Sequence, residues 1–212
     1  MKNILVVGAH GQTGRQVVTQ LKENDNFTPI AGVRDQAEVK EFTDQGVEAR
    51  LIDVRQSVAA IKAGLDNIDA IVISIGGGWM IDLDGKVKLY QAAEQAGIKR
   101  VVLVSAGAIQ HFHDDKKLVW MSQWEEYSAA MYYADLLLTK TDLDYTIVRP
   151  ETLTNDPETG LVNIGNYLPH TTTSRANVAA VIVAALENDN TIRKAFDVED
   201  GQTAVKQAVD KI

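Results

Sequence analysis

The 212-residue chain is 45% hydrophobic and carries 21 Lys and Arg against 29 Asp and Glu, a formal net charge of -8 at pH 7. That length suits one substantial core, and the negative balance opposes nucleic acid or an anionic membrane as partner while permitting a locally positive phosphate pocket. The chain has no cysteine, which excludes disulfides and thiolate catalysis, and its four histidines, His10, His111, His113 and His170, show no compact metal-ligand spacing. His111 and His113 form the one near pair but lack a third ligand, Asp114 and Asp115 read as solvated loop charges, and no metal site is expected.

The chain opens with an apolar strand, Lys2 to Val7, that runs into Gly8-Ala9-His10-Gly11-Gln12-Thr13-Gly14. Three glycines at G-x-x-G-x-x-G spacing behind a strand suit a dinucleotide: glycine permits the tight turn and lets backbone approach a pyrophosphate, and the helix start that follows offers unpaired amides. His10, Gln12 and Thr13 sit within this turn and are expected at the cofactor with Gly8, Gly11 and Gly14. Val17, Val18 and Leu21 mark one stripe of the helix, and Phe27 to Val33 forms a second strand. Polar helix 35–44 leads to a strand at 47–52. Helix 57–63 is followed by the apolar run 68–75, a strand covered on both faces. Helix 83–96 ends at Gly97, a C-cap position. Strand 99–105, helix 123–141 and strand 143–150, which Pro150 terminates, follow. Beyond it, 161–165 reads as an extra strand, 175–186 as a helix and 195–198 as a short strand before a terminal helix. Residues 1–212 are expected to form one α/β domain with a doubly wound parallel sheet flanked by helices, 151–212 adding a small substrate-side lobe. The start is strand-like in place of a basic leader, and no apolar run reaches bilayer length, so the cytoplasm is the expected location.

Cofactor choice turns on the end of the second strand. Arg34 is the first side chain past the apolar run and suits the 2′-phosphate of NADP, with a surface pair to Asp35 or Glu38 as its alternative, whereas the neighbouring Asp35 leaves NAD open. Asp53 and Val54, after the third strand, are placed to meet the adenine amino group and ring edge; a turn or helix cap is the alternative for Asp53. Ser74, Ile75 and Gly76 follow the fourth strand and open the glycine-rich stretch to Gly78, where backbone can pass close to the nicotinamide ribose.

With the glycine turn, Arg34, Asp53-Val54, Leu103-Val104-Ser105 and Tyr145-Thr146-Ile147-Val148-Arg149-Pro150 located, the chain resembles atypical short-chain dehydrogenase/reductase proteins, which have a Rossmann-like fold. It is most similar to small NAD(P)-binding members related to NmrA-like proteins and to flavin or biliverdin-IXβ reductases, through most of 2–198. Thr152-Leu153-Thr154 and Ser174 to Ala179 are supporting motifs. The resemblance implies a cofactor site that includes Ser105, Arg149 and Pro150, and catalytic roles at Ser105 and Tyr127, with packing or a ribose contact as the alternative for Tyr127. Dehydrogenases of the superfamily often carry Tyr-x-x-x-Lys; here Tyr127 is present and Met131 stands at the lysine position. Methionine can neither lower a phenol pKa nor hold a ribose hydroxyl, so the resemblance favours hydride transfer to a small planar acceptor such as a flavin, whose ring already stabilises added electrons. Trp79, Met80, Phe112, Trp120 and Trp124, within 76–81 and 111–124, would supply its pocket, with packing as the alternative. A non-catalytic NAD(P)H sensor and a nucleotide-sugar epimerase or dehydratase are the competing readings. The protein is expected to act as a monomer or homodimer.

Overall fold

The computed structural model describes residues 1–115 and 117–212. Strand and helix alternate as β1 (Lys2–Val7), α1 (Gln12–Lys22), β2 (Phe27–Val33), α2 (Gln36–Asp44), β3 (Glu48–Leu51), α3 (Val58–Lys62) and β4 (Ala70–Ile73). The second half runs α4 (Lys86–Ala96), β5 (Arg100–Val104), α5 (Val119–Gln123), α6 (Glu125–Leu138) and β6 (Asp144–Pro150). The chain ends with β7 (Thr152–Thr154), β8 (Leu161–Gly165), β9 (Thr172–Ser174), α7 (Arg175–Glu187), β10 (Lys194–Asp200), β11 (Thr203–Ala204) and α8 (Val205–Val209).

The described residues build a nine-stranded sheet in the order β11-β8-β10-β6-β5-β4-β1-β2-β3, parallel from β10 to β3. β8 joins β10 antiparallel, and β11 joins β8 antiparallel. Strand order reverses at β1, which pairs with β2 on one side and β4 on the other, so the carboxyl ends of β1 and β4 form the crevice where ligands bind in such sheets.

Alternating side chains feed two cores. Ile4 and Val6 pack with Val17, Val18 and Leu21 of α1 and with Val178 and Ile182 of α7. Leu5 and Val7 pack with Ile71 and Ile73 of β4, Leu89 of α4 and Leu138 of α6. Each such buried aliphatic contributes about 1.5–3 kcal/mol, so the two helical layers clamp β1 from both faces and fix the turn that leaves its end. Gly97 caps α4 in the left-handed conformation, with φ 77°, and the Ser174 hydroxyl caps α7 by accepting from Asn177 N at 3.1 Å.

Three local differences from the sequence reading have physical causes. The helix expected over 123–141 runs from Glu125 to Leu138, and an unexpected short helix, α5, precedes it, the two parted at Trp124, which leaves helical geometry at φ -119° and ψ 52°. The helix expected from Leu83 begins as α-helix at Lys86, and the turn before it, Met80–Gly85, is π-helical and continues into α4. β7 and β9 pair as a separate two-stranded sheet; three-residue strands of this kind carry no periodicity to read. Among the described residues, no helix is long and apolar enough to cross a membrane.

Candidate cofactor and acceptor site

Val7 sits in register with Gly32 on one side and Ile73 on the other, so the chain leaves β1 beside the end of β4. Gly8 then takes φ +85°, and a Cβ there would lie 2.2 Å from Ser74 O. A Cβ on Gly14 would lie 2.2 Å from Gly8 O. Both distances forbid any side chain without backbone movement, so these two glycines hold the turn against β4 and against α1. Gly11 is the N-cap of α1, with no side-chain cap and no acidic residue in the first turn. The first amides of α1 therefore face the crevice with their dipole, which is the chemistry of an anion cradle.

One end of the crevice is lined by Arg34, Glu38, Asp53, Val54 and Arg55 together with Gly8, His10 and Gly11. Asp35, the residue that left the cofactor choice open, caps α2 by accepting from Glu38 N at 3.0 Å. The carboxylate that does face the crevice is Glu38, which accepts from Arg34 N at 3.1 Å and lies 3.1 Å from His10 Nδ1. Arg34 Nε is 3.7 Å from Glu38, and its side chain is 68% exposed, leaving the guanidinium free to turn toward a phosphate. Asp53 is gripped by Arg55 through Nε and Nη2 at 2.9 and 2.7 Å, and this pairing lowers the Asp53 pKa while raising that of Arg55.

The crevice continues past Gly11, Gln12 and Thr13 to Ser74, Ile75 and Gly76, and then to Ser105, Tyr127, Met131, Asp82 and Arg175. Ser105 N is tied to Val148 O at 2.8 Å, while its buried hydroxyl has no hydrogen-bond partner among the described residues. Burial, reinforced by Asp82 and Asp135, pushes the Tyr127 pKa up to about 12. A third cavity adjoins this one through Gly78, Asp82 and Tyr127, and is walled by Trp79, Trp120 and Trp124 with Glu125 and Glu126 at its edge. Trp79 and Trp124 are 56% and 66% exposed.

Two expected cofactor residues lie elsewhere. Arg149 donates from Nε to Asp135 Oδ2 at 2.8 Å, both side chains nearly buried, and Pro150 accepts from Gly107 N at 2.8 Å; neither joins the crevice lining. The end of β6 faces α6 and the Gly107 loop, so these residues position β6. Two expected pocket residues also fall outside the tryptophan-walled cavity: Phe112 is buried in a small core with Met121, and Met80 projects outward, 51% exposed. Lys116, within the 111–124 stretch, lies outside the described residues. Asp114 pairs with His111 at 2.7 Å.

Sequence reasoning missed Arg55, Asp82, Arg175 and Lys86 as lining or supporting residues, and gave Glu38 only as a surface partner of Arg34, the pairing seen at 3.7 Å. Asp82 and Lys86 carried one readable signal, an acid and a base four residues apart at a helix start. Asp82 is buried at 2% exposure, accepts from Gly78 N at 3.0 Å through Oδ2, and so ties the glycine-rich loop to the π-helical turn. Lys86 is fully buried.

A family profile described as NAD(P)H-binding matches residues 8–189. The chain belongs to this NAD(P)H-binding family. Its membership accords with the Rossmann-like order of the sheet and with the resemblance to atypical short-chain dehydrogenase/reductase proteins. One relative of this NAD(P)H-binding protein, from Bacillus subtilis, is called an uncharacterized sugar epimerase, YhfK, and is 34% identical over 99% of both chains. The crystal structure of the oxidoreductase ylbE from Lactococcus lactis superposes with a TM-score of 0.88 at 32% identity, covering 99% of this chain and 96% of that one. A short-chain dehydrogenase/reductase from Veillonella parvula, solved in complex with NADP, shares the fold with a TM-score of 0.77 at 19% identity, over 96% of each chain.

Proposed function

We propose that the protein is a cytoplasmic NADPH-dependent oxidoreductase that reduces a small planar conjugated acceptor, with a free flavin as the leading candidate. The observation that carries this reading is the sharing of Gly78, Asp82 and Tyr127 between the inner crevice and the tryptophan-walled cavity, which gives a dinucleotide and a flat ring adjoining berths.

The residues fit the cofactor. Gly8 and Gly14 leave no room for side chains where a pyrophosphate must approach backbone, and the amides of Gln12 and Thr13 open an uncapped helix. Arg34 would hold the 2′-phosphate, and Asp53 and Val54 the adenine edge. Bound NADPH supplies a hydride. Tyr127, with its pKa pushed up to about 12, stays protonated at neutral pH, so it donates a hydrogen bond and is a poor general base. The buried Ser105 hydroxyl lines the same crevice and suits a carbonyl of the acceptor. Trp79 and Trp124 offer exposed aromatic faces for stacking.

The name of the Bacillus relative raises epimerisation as a second reading. That chemistry asks for a base near neutral pH, which the raised Tyr127 does not provide. Calorimetric titration with NADPH and NADH, followed by an anaerobic reduction screen over flavins, quinones and biliverdin, tests the proposal. Saturable oxidation of bound NADPH by one acceptor supports it. Tight binding without oxidation across the panel would move the assignment to a redox-state sensor.

A further inference from the structure

Lys86 sits at the first position of α4 with no solvent exposure, and its Nζ lies 2.9 Å from Met131 Sδ on α6. Met131 is one helical turn beyond Tyr127, where Tyr-x-x-x-Lys proteins carry their lysine. Methionine Sδ occupies the place of a lysine Cδ, and a lysine ammonium lies two bonds, about 2.5 Å, further on. A lysine at 131 would thus carry its charge at nearly the distance from this point at which Lys86 Nζ is found. A thioether is a weak acceptor, so the ammonium is not held there by a strong partner. It is held by field: burial lowers the Lys86 pKa while Asp82 and Asp135 oppose that shift. The same two carboxylates act on Tyr127. Asp82, Tyr127 and Met131 all line the inner crevice, while Asp82 Oδ1, Asp135 Oδ1 and Ser128 Oγ are buried without hydrogen-bond partners among the described residues. With Arg149, which pairs with Asp135 at 2.8 Å, this ammonium therefore balances the buried carboxylates behind the crevice wall.

We propose that Lys86 is a positioning residue that supplies, from α4, the cation that Met131 does not supply from α6, and that it sets the electrostatic preference of the crevice for the uncharged nicotinamide ring of NADPH over the cationic ring of NADP⁺. The proposal rests on the reading that the inner crevice holds the nicotinamide half. With Lys86 and Arg149 the buried cluster approaches neutrality; without Lys86, one carboxylate is left in excess near the ring and favours the oxidised, positive form. The adenine half is identical in both forms, so the ratio of their affinities cancels Arg34, the pyrophosphate cradle and any general loosening of the fold.

The test is the dissociation constant of NADPH and of NADP⁺, measured calorimetrically for wild type, Lys86→Met, Met131→Lys and the double exchange carrying both. Lys86→Met is expected to shift the affinity ratio toward NADP⁺ by about tenfold, the size of one charge-assisted interaction. Met131→Lys, with two ammoniums in one buried volume, shifts it toward NADPH, and the double exchange returns it to within about twofold of wild type. An unchanged ratio in Lys86→Met, or a double exchange that keeps the ratio of Lys86→Met, overturns the proposal. If Lys86→Met fails to fold, Met131→Lys and the double exchange decide it by the same ratios: no shift in the former, or no return in the latter, overturns it. If wild type binds neither form, the cofactor reading fails first, an outcome separate from any change in ratio.

Discussion

Arg149 Nε donates to Asp135 Oδ2 at 2.8 Å, joining the end of β6 to the last turn of α6 through side chains only 11% and 5% exposed. The run that ends in Arg149-Pro150 thus fixes the helix that presents Tyr127 and Met131, with neither Arg149 nor Pro150 lining the crevice. Removing one partner leaves a buried charge unpaired, at a cost of about 3–5 kcal/mol. Arg149→Met should lower the urea midpoint accordingly, while the folded fraction keeps NADPH affinity within about twofold. A large loss of affinity with unchanged stability would return Arg149 to the cofactor site.

Arg34 and Glu38 share one mouth of the crevice, so cofactor selectivity depends on which charge meets the ribose. Arg34→Glu should weaken NADPH by about 1.5–3 kcal/mol, the range of a charge-assisted contact, and leave NADH nearly unchanged. Calorimetry decides it. A wild type that prefers NADH, together with an indifferent Arg34→Glu variant, would assign the ribose to Glu38.

The glycine turn was legible because its causes are local: a strand, a positive φ and a helix start all fall within 2–14. Alternating strands likewise announced the sheet. Lys86 was not legible, since its meaning depends on α4 meeting α6 across forty-five positions of sequence. Neither was the break at Trp124, since no glycine or proline near it marks the end of α5. In sequence Arg34 took precedence over Asp35 by position alone, and the cap hydrogen bond from Glu38 N adds that the Asp35 carboxylate is engaged by α2. Residues 151–212 were read as an appended lobe. Within that segment β10, β8 and β11 extend the main sheet, while β7 and β9 form the separate pair.

A buried acidic group near the Gly107 loop predicts a pH dependence. Burial raises the pKa of Glu151 above its ordinary 4.5, with Asp197 and Glu199 adding and His170 opposing. Burial also raises Asp197 above 3.8, against hydrogen bonds from Gln110 and Ala108. Raised carboxyls hold more protons in the native than in the unfolded chain, so their contribution is fully present below the ordinary values and is lost as pH rises through the raised ones. Glu151→Gln keeps an oxygen for His170 Nδ1, at 3.0 Å in the wild type, and removes the titration. Urea unfolding from about pH 4 to pH 8 should show a shallower decline in the variant than in wild type. Parallel slopes would mean that Glu151 titrates alike in both states.

The tryptophan-walled cavity carries Asp82, Glu125 and Glu126 along with Trp79, Trp120, Trp124 and Tyr127. Its aromatic faces suit any flat ring, but its carboxylates discriminate by charge. Riboflavin, which is uncharged, should be reduced with a lower KM than flavin mononucleotide, whose phosphate meets like charge, and biliverdin, with two propionates, should be a poor acceptor. The carboxylates at the edge are screened by salt, so the preference should be about tenfold at low ionic strength and shrink as salt is added. Glu125→Gln with Glu126→Gln should narrow it in the same direction, whereas Trp79→Ala should raise KM for both flavins alike, because stacking does not depend on the phosphate. Steady-state NADPH oxidation with each acceptor, across a salt series, measures all of these effects. A preference for flavin mononucleotide that strengthens at low salt would place a cation at the acceptor's tail and overturn the charge argument.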